Sequence, residues 1–212
     1  MRFLRDNGLT LALAAAFLVS LAGMMLAGWA DENAELARHS QPTIGFVAYI
    51  VSGSFLSALF ENWESEFLQM AAYVIFTAYL FQRGSAESTD PDEPPRPRDE
   101  LPKVWKERAP VSGWLYSHSL GIALALLFVF SFVAHWLSSV SAANEEAATH
   151  GGPHLSALQY LGDARFWFES FQNWQSEFLS TAVLVVLSIF LRFKGSPESK
   201  PVAAPHGETG AS

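Results

Sequence analysis

Residues 61–68 read ENWESEFL and residues 172–179 read QNWQSEFL, the same polar-aromatic octet at an offset of 111 in one chain. Continued without a gap, the offset of 111 pairs Phe17 with Phe128, Ser20 with Ser131, Asn33 with Asn144, Glu35 with Glu146 and His39 with His150. It then pairs Pro42 with Pro153, Tyr49 with Tyr160 and Phe60 with Phe171, and aligns Gly84-Ser85-Ala86-Glu87-Ser88 with Gly195-Ser196-Pro197-Glu198-Ser199. About a third of positions are identical between residues 3–88 and 114–199. Two apolar helices can resemble each other through composition alone, but that would not keep the polar residues between them in register. The chain is therefore read as two tandem copies of one unit.

Each copy begins with an apolar run long enough to cross a bilayer, at about residues 8–29 and 118–138. A polar, acidic loop follows, then a proline and a semi-apolar stretch (42–53 and 153–164). A long second helix comes next, over about 54–83 and 165–194, with Gly84 and Gly195 as C-terminal stops. Its membrane-spanning parts are expected at about 63–83 and 174–194. The expected fold is thus an all-α integral membrane protein with four transmembrane helices from two tandem two-helix repeats, 1–84 and 113–198. Residues 85–112, rich in Pro, Glu, Asp, Lys and Arg, read as a solvated linker, and 199–212 as a disordered tail.

Composition agrees. Half of the residues are hydrophobic and only 16% are charged, where a soluble domain carries about a quarter charged. The net charge of -8 leaves no basic footprint for nucleic acid. The chain has 0 cysteines, which excludes disulfides, thiolate catalysis and zinc–thiolate sites. Arg2 and Arg5 ahead of the first apolar run, with Gly28-Trp29-Ala30 at its end, also fit a cleaved signal peptide. The length of the run and its internal counterpart favour a retained span.

Lys and Arg set the orientation. Arg2, Arg5, Arg83, Arg96, Arg98, Lys103, Lys106, Arg108, Arg192, Lys194 and Lys200 fall at the termini and in the linker, against only Arg38 and Arg165 in the two hairpin loops. Both termini and the linker are expected in the cytoplasm. The copies then run the same way, as parallel repeats about an axis along the membrane normal.

The octet carries the candidate site. Counting back from Arg83 places Trp63 near the outer interface and Glu66 about one turn inside it. At about 100° per residue, Asn62, Ser65, Glu66, Gln69, Tyr73 and Thr77 share one helix face. Asn173, Ser176, Glu177, Ser180 and Ser188 occupy the equivalent face of the second copy. Such a stripe turns inward, because lipid cannot satisfy it. Two readings are open. In one, Asn62, Ser65, Glu66, Asn173, Ser176 and Glu177 form a polar site for protons or cations around two carboxylates. In the other they are helix–helix glue, with Trp63 and Trp174 as interface anchors.

Weaker signals surround it. Glu35 with His39, and Glu146 with His150, stand four apart, a spacing that can share a helix face and hold a metal, with His154 nearby. Two ligands per loop leave such a site incomplete, and no metal or other cofactor is expected. His135 lies in the third span, and Ala12, Ala16, Ser20 and Gly23 form a ridge of small residues on the first. No phosphate loop, nucleophile–base set or nucleotide fingerprint occurs.

The paired (E/Q)NW(E/Q)SEFL motifs, each followed by a span and (R/K)GS(A/P)ES, resemble a family of small bacterial membrane proteins classed as a domain of unknown function. The resemblance runs from Phe3 to about Lys200 and implies a protein of the bacterial cytoplasmic (inner) membrane. It brings no activity, ligand or catalytic residue. The first functional expectation is a non-enzymatic scaffold or interaction protein whose partners are the lipid bilayer and either a second copy or other membrane proteins. The alternative is a small proton- or cation-coupled channel or transporter using Glu66 and Glu177.

With 0 native cysteines, the orientation is directly testable. A single cysteine at Ser156→Cys should react with a membrane-impermeant maleimide on intact spheroplasts, and one at Ser199→Cys only after lysis. The reverse pattern would invert the topology.

Overall fold

In the computed structural model, which describes residues 2–94 and 99–210, every regular element among the described residues is helical. Arg96 and Arg98, and the side chains of Lys106, Arg108 and His150, lie outside the described residues. In chain order the helices are α1 (Arg2–Asp6), α2 (Gly8–Arg38), α3 (Phe46–Ile50), α4 (Gly53–Tyr79) and α5 (Lys103–Arg108). They continue with α6 (Pro110–Ser117), α7 (Ser119–His150), α8 (Ala157–Leu161) and α9 (Ala164–Phe190). Two are long and apolar enough to cross a membrane, Gly8–Arg38 and Ser119–Ala148. Helix α2 buries none of its residues and leaves Leu9, Leu13, Phe17, Leu18, Val19 and Leu26 exposed. Helices α4 and α9 carry their polar octets mid-helix, which lowers their apolar content.

Contacts divide the chain into two compact units, residues 1–59 with 135–160, and residues 60–134 with 161–212. In the first unit, α2 continues past its apolar run into the charged stretch Asp31–Arg38. There Asn33 clamps the returning chain: its Oδ1 accepts from Ile44 N at 2.7 Å and its Nδ2 donates to Ile44 O at 3.2 Å. The Trp29 indole donates to the same carbonyl at 2.8 Å. At the end of α7, Asn144 makes the equivalent pair of bonds to Leu155 N and O, at 2.8 and 2.9 Å, and Trp136 donates to Ala157 O at 2.8 Å. An amide side chain that satisfies both backbone groups of one residue ends the excursion of the loop without leaving a buried donor or acceptor open.

Glycine permits the close approaches here. A Cβ on Gly28 would collide with the Tyr49 hydroxyl, and one on Gly53 would lie 2.5 Å from Ala142 N. Tyr49 is buried and meets Phe55 edge-on, with ring centroids 5.4 Å apart. Ser57 and Ser139 join α4 to α7 through a hydroxyl pair at 2.6 Å.

In the second unit, α4 from Phe60 onward lies against α9. The two helices stop at Tyr79 and Phe190, short of the expected ends at 83 and 194. The cause lies beyond them. Ser88 Oγ accepts from Gln82 N and Ser199 Oγ from Phe193 N, both at 2.9 Å, while Gly84 and Gly195 turn the chain at φ of 82° and 89°. That backbone region is open to glycine at no steric cost. The segment expected to be a bare linker includes α5 and the start of α6, where the Trp105 and Tyr116 rings lie 5.6 Å apart.

The tail beyond Ser199, expected to be without fixed structure, is tied down. Lys200 is buried, and its Nζ donates to the carbonyls of Pro205, His206 and Glu208 at 3.3, 2.9 and 2.8 Å. Thr209 Oγ1 accepts from Gly84 N, and Gly210 N donates to Ser85 O, both at 2.9 Å. A lysine taken out of water needs its donors filled, and the tail carbonyls do this.

Replacing Asn33 or Asn144 by alanine removes both clamp bonds and leaves the N–H of Ile44 or Leu155 without its side-chain acceptor. Each substitution should destabilise the protein by about 1–3 kcal/mol, read by thermal unfolding of the purified protein. An unchanged midpoint in both variants would refute the clamps.

Candidate functional site

The octets meet in the second unit. The Trp174 indole donates to Glu64 Oε1 at 2.8 Å, and Asn173 Nδ2 donates to Glu61 Oε1. Below them, Gln69 Nε2 donates to Thr181 Oγ1 at 2.6 Å. Three side-chain bonds thus join α4 to α9 along about two turns. Ser65 and Ser176 turn back on their own helices, to Asn62 O at 2.9 Å and Asn173 O at 2.8 Å. This is the usual local bond of a serine in a helix.

The expected carboxylate pair is placed differently. Glu66 is exposed and Glu177 half-buried, near enough to feel one another's charge. Asn62 and Ser176 are exposed, Asn173 and both tryptophans, Trp63 and Trp174, are half-buried, and Ser65 is buried. The buried acid of the motif is Glu64, at 0% exposure, which the stripe criterion passed over because it lies off that face. One signal could have found it. Glu61 and Glu64 are the octet positions where the copies differ, with Gln172 and Gln175 opposite them in the alignment.

The lower half of the stripe does line a cavity, of about 420 Å³, between α4 and α9. Gln69, Tyr73 and Thr77 face it from α4, Phe178 and Thr181 from α9, and Glu87 and Ser88 close one end. Neither Glu66 nor Glu177 is part of this lining. At the closed end the Tyr73 hydroxyl donates to Glu87 Oε2 at 2.6 Å. Glu87 Oε1 is buried without a donor, and the Glu198 carboxyl lies within hydrogen-bonding reach of Glu87. Burial pushes the Glu87 carboxyl above the ordinary 4.5. The neighbouring Glu198 pushes it further the same way, against the Tyr73 hydroxyl, which favours the anion. A second carboxyl beside it favours the neutral form of Glu87. Ser188, expected on the stripe, sits outside the cavity and bonds Ser85 Oγ at 2.8 Å, and Ser180 is exposed.

The weaker candidates resolve into local contacts. Glu35 is engaged by His39 Nε2 at 2.9 Å and by Arg38 at 2.7 Å on the surface. Among the described residues no group of three or more His, Cys, Asp or Glu side chains could hold a metal ion. His135 is fully buried in α7.

The fold and its cavity define an all-helical protein with two helices suited by length and composition to crossing a membrane. The chain belongs to the family described as a domain of unknown function (DUF6766), whose model matches residues 1–211. No curated protein and no solved structure matches it.

The acid pair has a sign that can be measured. A carboxyl whose pKa is raised on folding stabilises the fold below its unfolded value, and that contribution is lost as the pH rises through the folded value. Wild type should therefore lose thermal stability relative to Glu87→Gln as the pH is raised from the ordinary 4.5 towards 8. A difference that stays flat across this range would mean that folding does not raise the Glu87 carboxyl.

Proposed function

We propose that this protein is a non-enzymatic scaffold or interaction protein of a bacterial cytoplasmic membrane, crossing it four times with both termini inside. The reading rests on one observation above others: the polar side chains of the octets are used to hold α4 to α9. Trp174 is bonded to Glu64 and Asn173 to Glu61, while Glu66 and Glu177 stand outside the lining of the cavity between α4 and α9. Helices of 27 residues, such as α4 and α9, reach about 40 Å, enough for a hydrocarbon core of about 30 Å. The unburied apolar surface of α2 is what lipid would cover.

The tandem architecture belongs to the same proposal. The Asn33–Ile44 and Asn144–Leu155 clamps, the Gln82–Ser88 and Phe193–Ser199 bonds, and the paired turns at Gly84 and Gly195 all recur at the offset of the octets. Helix spans at about 8–29, 63–83, 118–138 and 174–194 complete it, with 85–112 as a cytoplasmic connection. The partners are the bilayer and either a second copy or other membrane proteins.

The alternative is a proton- or cation-coupled carrier, favoured only by the mutual proximity of Glu66 and Glu177. Proteoliposomes separate the two. Wild-type protein should pass no more protons or sodium than empty vesicles, and should remain self-associated or bound to a membrane partner in mild detergent. Flux that disappears in the Glu66→Gln plus Glu177→Gln double variant would overturn the scaffold in favour of the carrier.

A further inference from the structure

The cavity between α4 and α9 is more specific than an apolar gap, and its features do not depend on the scaffold reading. Its volume of about 420 Å³ is that of a small-molecule site. Tyr73, Phe76, Phe81 and Phe178 present aromatic surface to it, and a single ionisable acid, Glu87, stands at one end. Glu87 Oε1 is buried and receives no donor from the protein. The ionisable groups facing Glu87 are Tyr73, on α4, and Glu198, beyond α9. Cations further along the chain are engaged elsewhere, Arg192 by the Ala204 carbonyl and Lys200 by those of Pro205, His206 and Glu208. None of them forms an ion pair with Glu87 among the described residues.

The geometry points to a binding site for a lipophilic organic monocation, its apolar body between α4 and α9 and its charge against Glu87. Three features select this class. Aromatic faces attract a cation whose hydration shell is thin. Glu87 is the one acid among the described lining residues, and its single negative charge matches one positive charge. Among the described residues no lysine or arginine lines the cavity, so a phosphate group, and with it a phospholipid headgroup, finds no counter-charge from them. Protonation of Glu87 would remove the negative charge that faces the cavity, so protons and the cation compete for the site.

The test uses full-length protein in nanodiscs of phosphatidylglycerol, titrated calorimetrically with tetraphenylphosphonium. Wild type should bind one cation saturably at pH 8, and more weakly as the pH is lowered, by up to about tenfold per unit once Glu87 takes up its proton. Glu87→Gln should weaken binding by at least about tenfold, because the charge that faces the cavity is gone. Glu198→Gln leaves the Glu87 charge in place and should bind within about threefold of wild type, a shift small against the tenfold steps that mark a lost ionic contact. Glu93→Gln, at an exposed acid away from the cavity, should bind as wild type does. The neutral triphenylphosphine oxide should not compete. Competition by the neutral compound, or equal binding by wild type and Glu87→Gln, would show simple partition into apolar surface and overturn the proposal. Loss of binding in discs that contain phosphatidylethanolamine would assign the cavity to an aminolipid and overturn it as well. Should Glu87→Gln fail to fold, the Glu198→Gln titration, the pH dependence and the neutral competitor still decide the question.

Discussion

A polar group carried on a helix through apolar surroundings must find its partner on another helix, because neither lipid nor a packed interior will supply one. The second unit is organised by that requirement. Glu64, fully buried, would be untenable alone, and the Trp174 indole satisfies it. With Asn173 on Glu61 and Gln69 on Thr181, it fixes the register of α4 against α9. The cavity is a consequence of that register: below Gln69 the facing side chains leave a gap, and the chain beyond Gly84 turns back to close one end with Glu87.

The same economy governs the chain reversals. Asn33 and Asn144 each satisfy both backbone groups of a single returning residue, and serines after the glycine turns accept the backbone donors that follow α4 and α9. These bonds give a physical reason for the polar loop residues to recur at the offset of 111 along with the apolar ones. A drifting apolar residue costs some packing, whereas a lost clamp leaves an unpaired buried group. The copies nevertheless differ where it matters for chemistry. Glu61 and Glu64 face a tryptophan and an asparagine of the other copy, and the aligned Gln172 and Gln175 leave the second copy without those charges.

Much of this was legible in the sequence. Apolar runs of the right length marked α2 and α7, and helical periodicity marked the face of α4 that carries Gln69, Tyr73 and Thr77. Such features are local: a run length or a period depends only on neighbouring residues. The octet identified the place where the copies meet, yet it pointed to Glu66 and Glu177 when the buried acid is Glu64. Periodicity tells which residues share a face, and it does not tell which face a neighbouring helix will cover.

Glu87 and Glu198 mark the limit most clearly. Each stands in a short motif that reads as the start of a solvated segment, after a glycine and beside a serine. Their positions at the offset of 111 were visible as an alignment, and nothing in it placed one beside the other. Only the packing of α4 on α9, followed by the two glycine turns, brings the carboxyl groups together at the end of the cavity. The sequence by itself determined the apolar runs of the long helices and the recurrence of the octet at an offset of 111. The tertiary structure alone decided which acids are buried and which meet, because proximity between residues far apart in the chain is a property of packing and has no counterpart in local pattern.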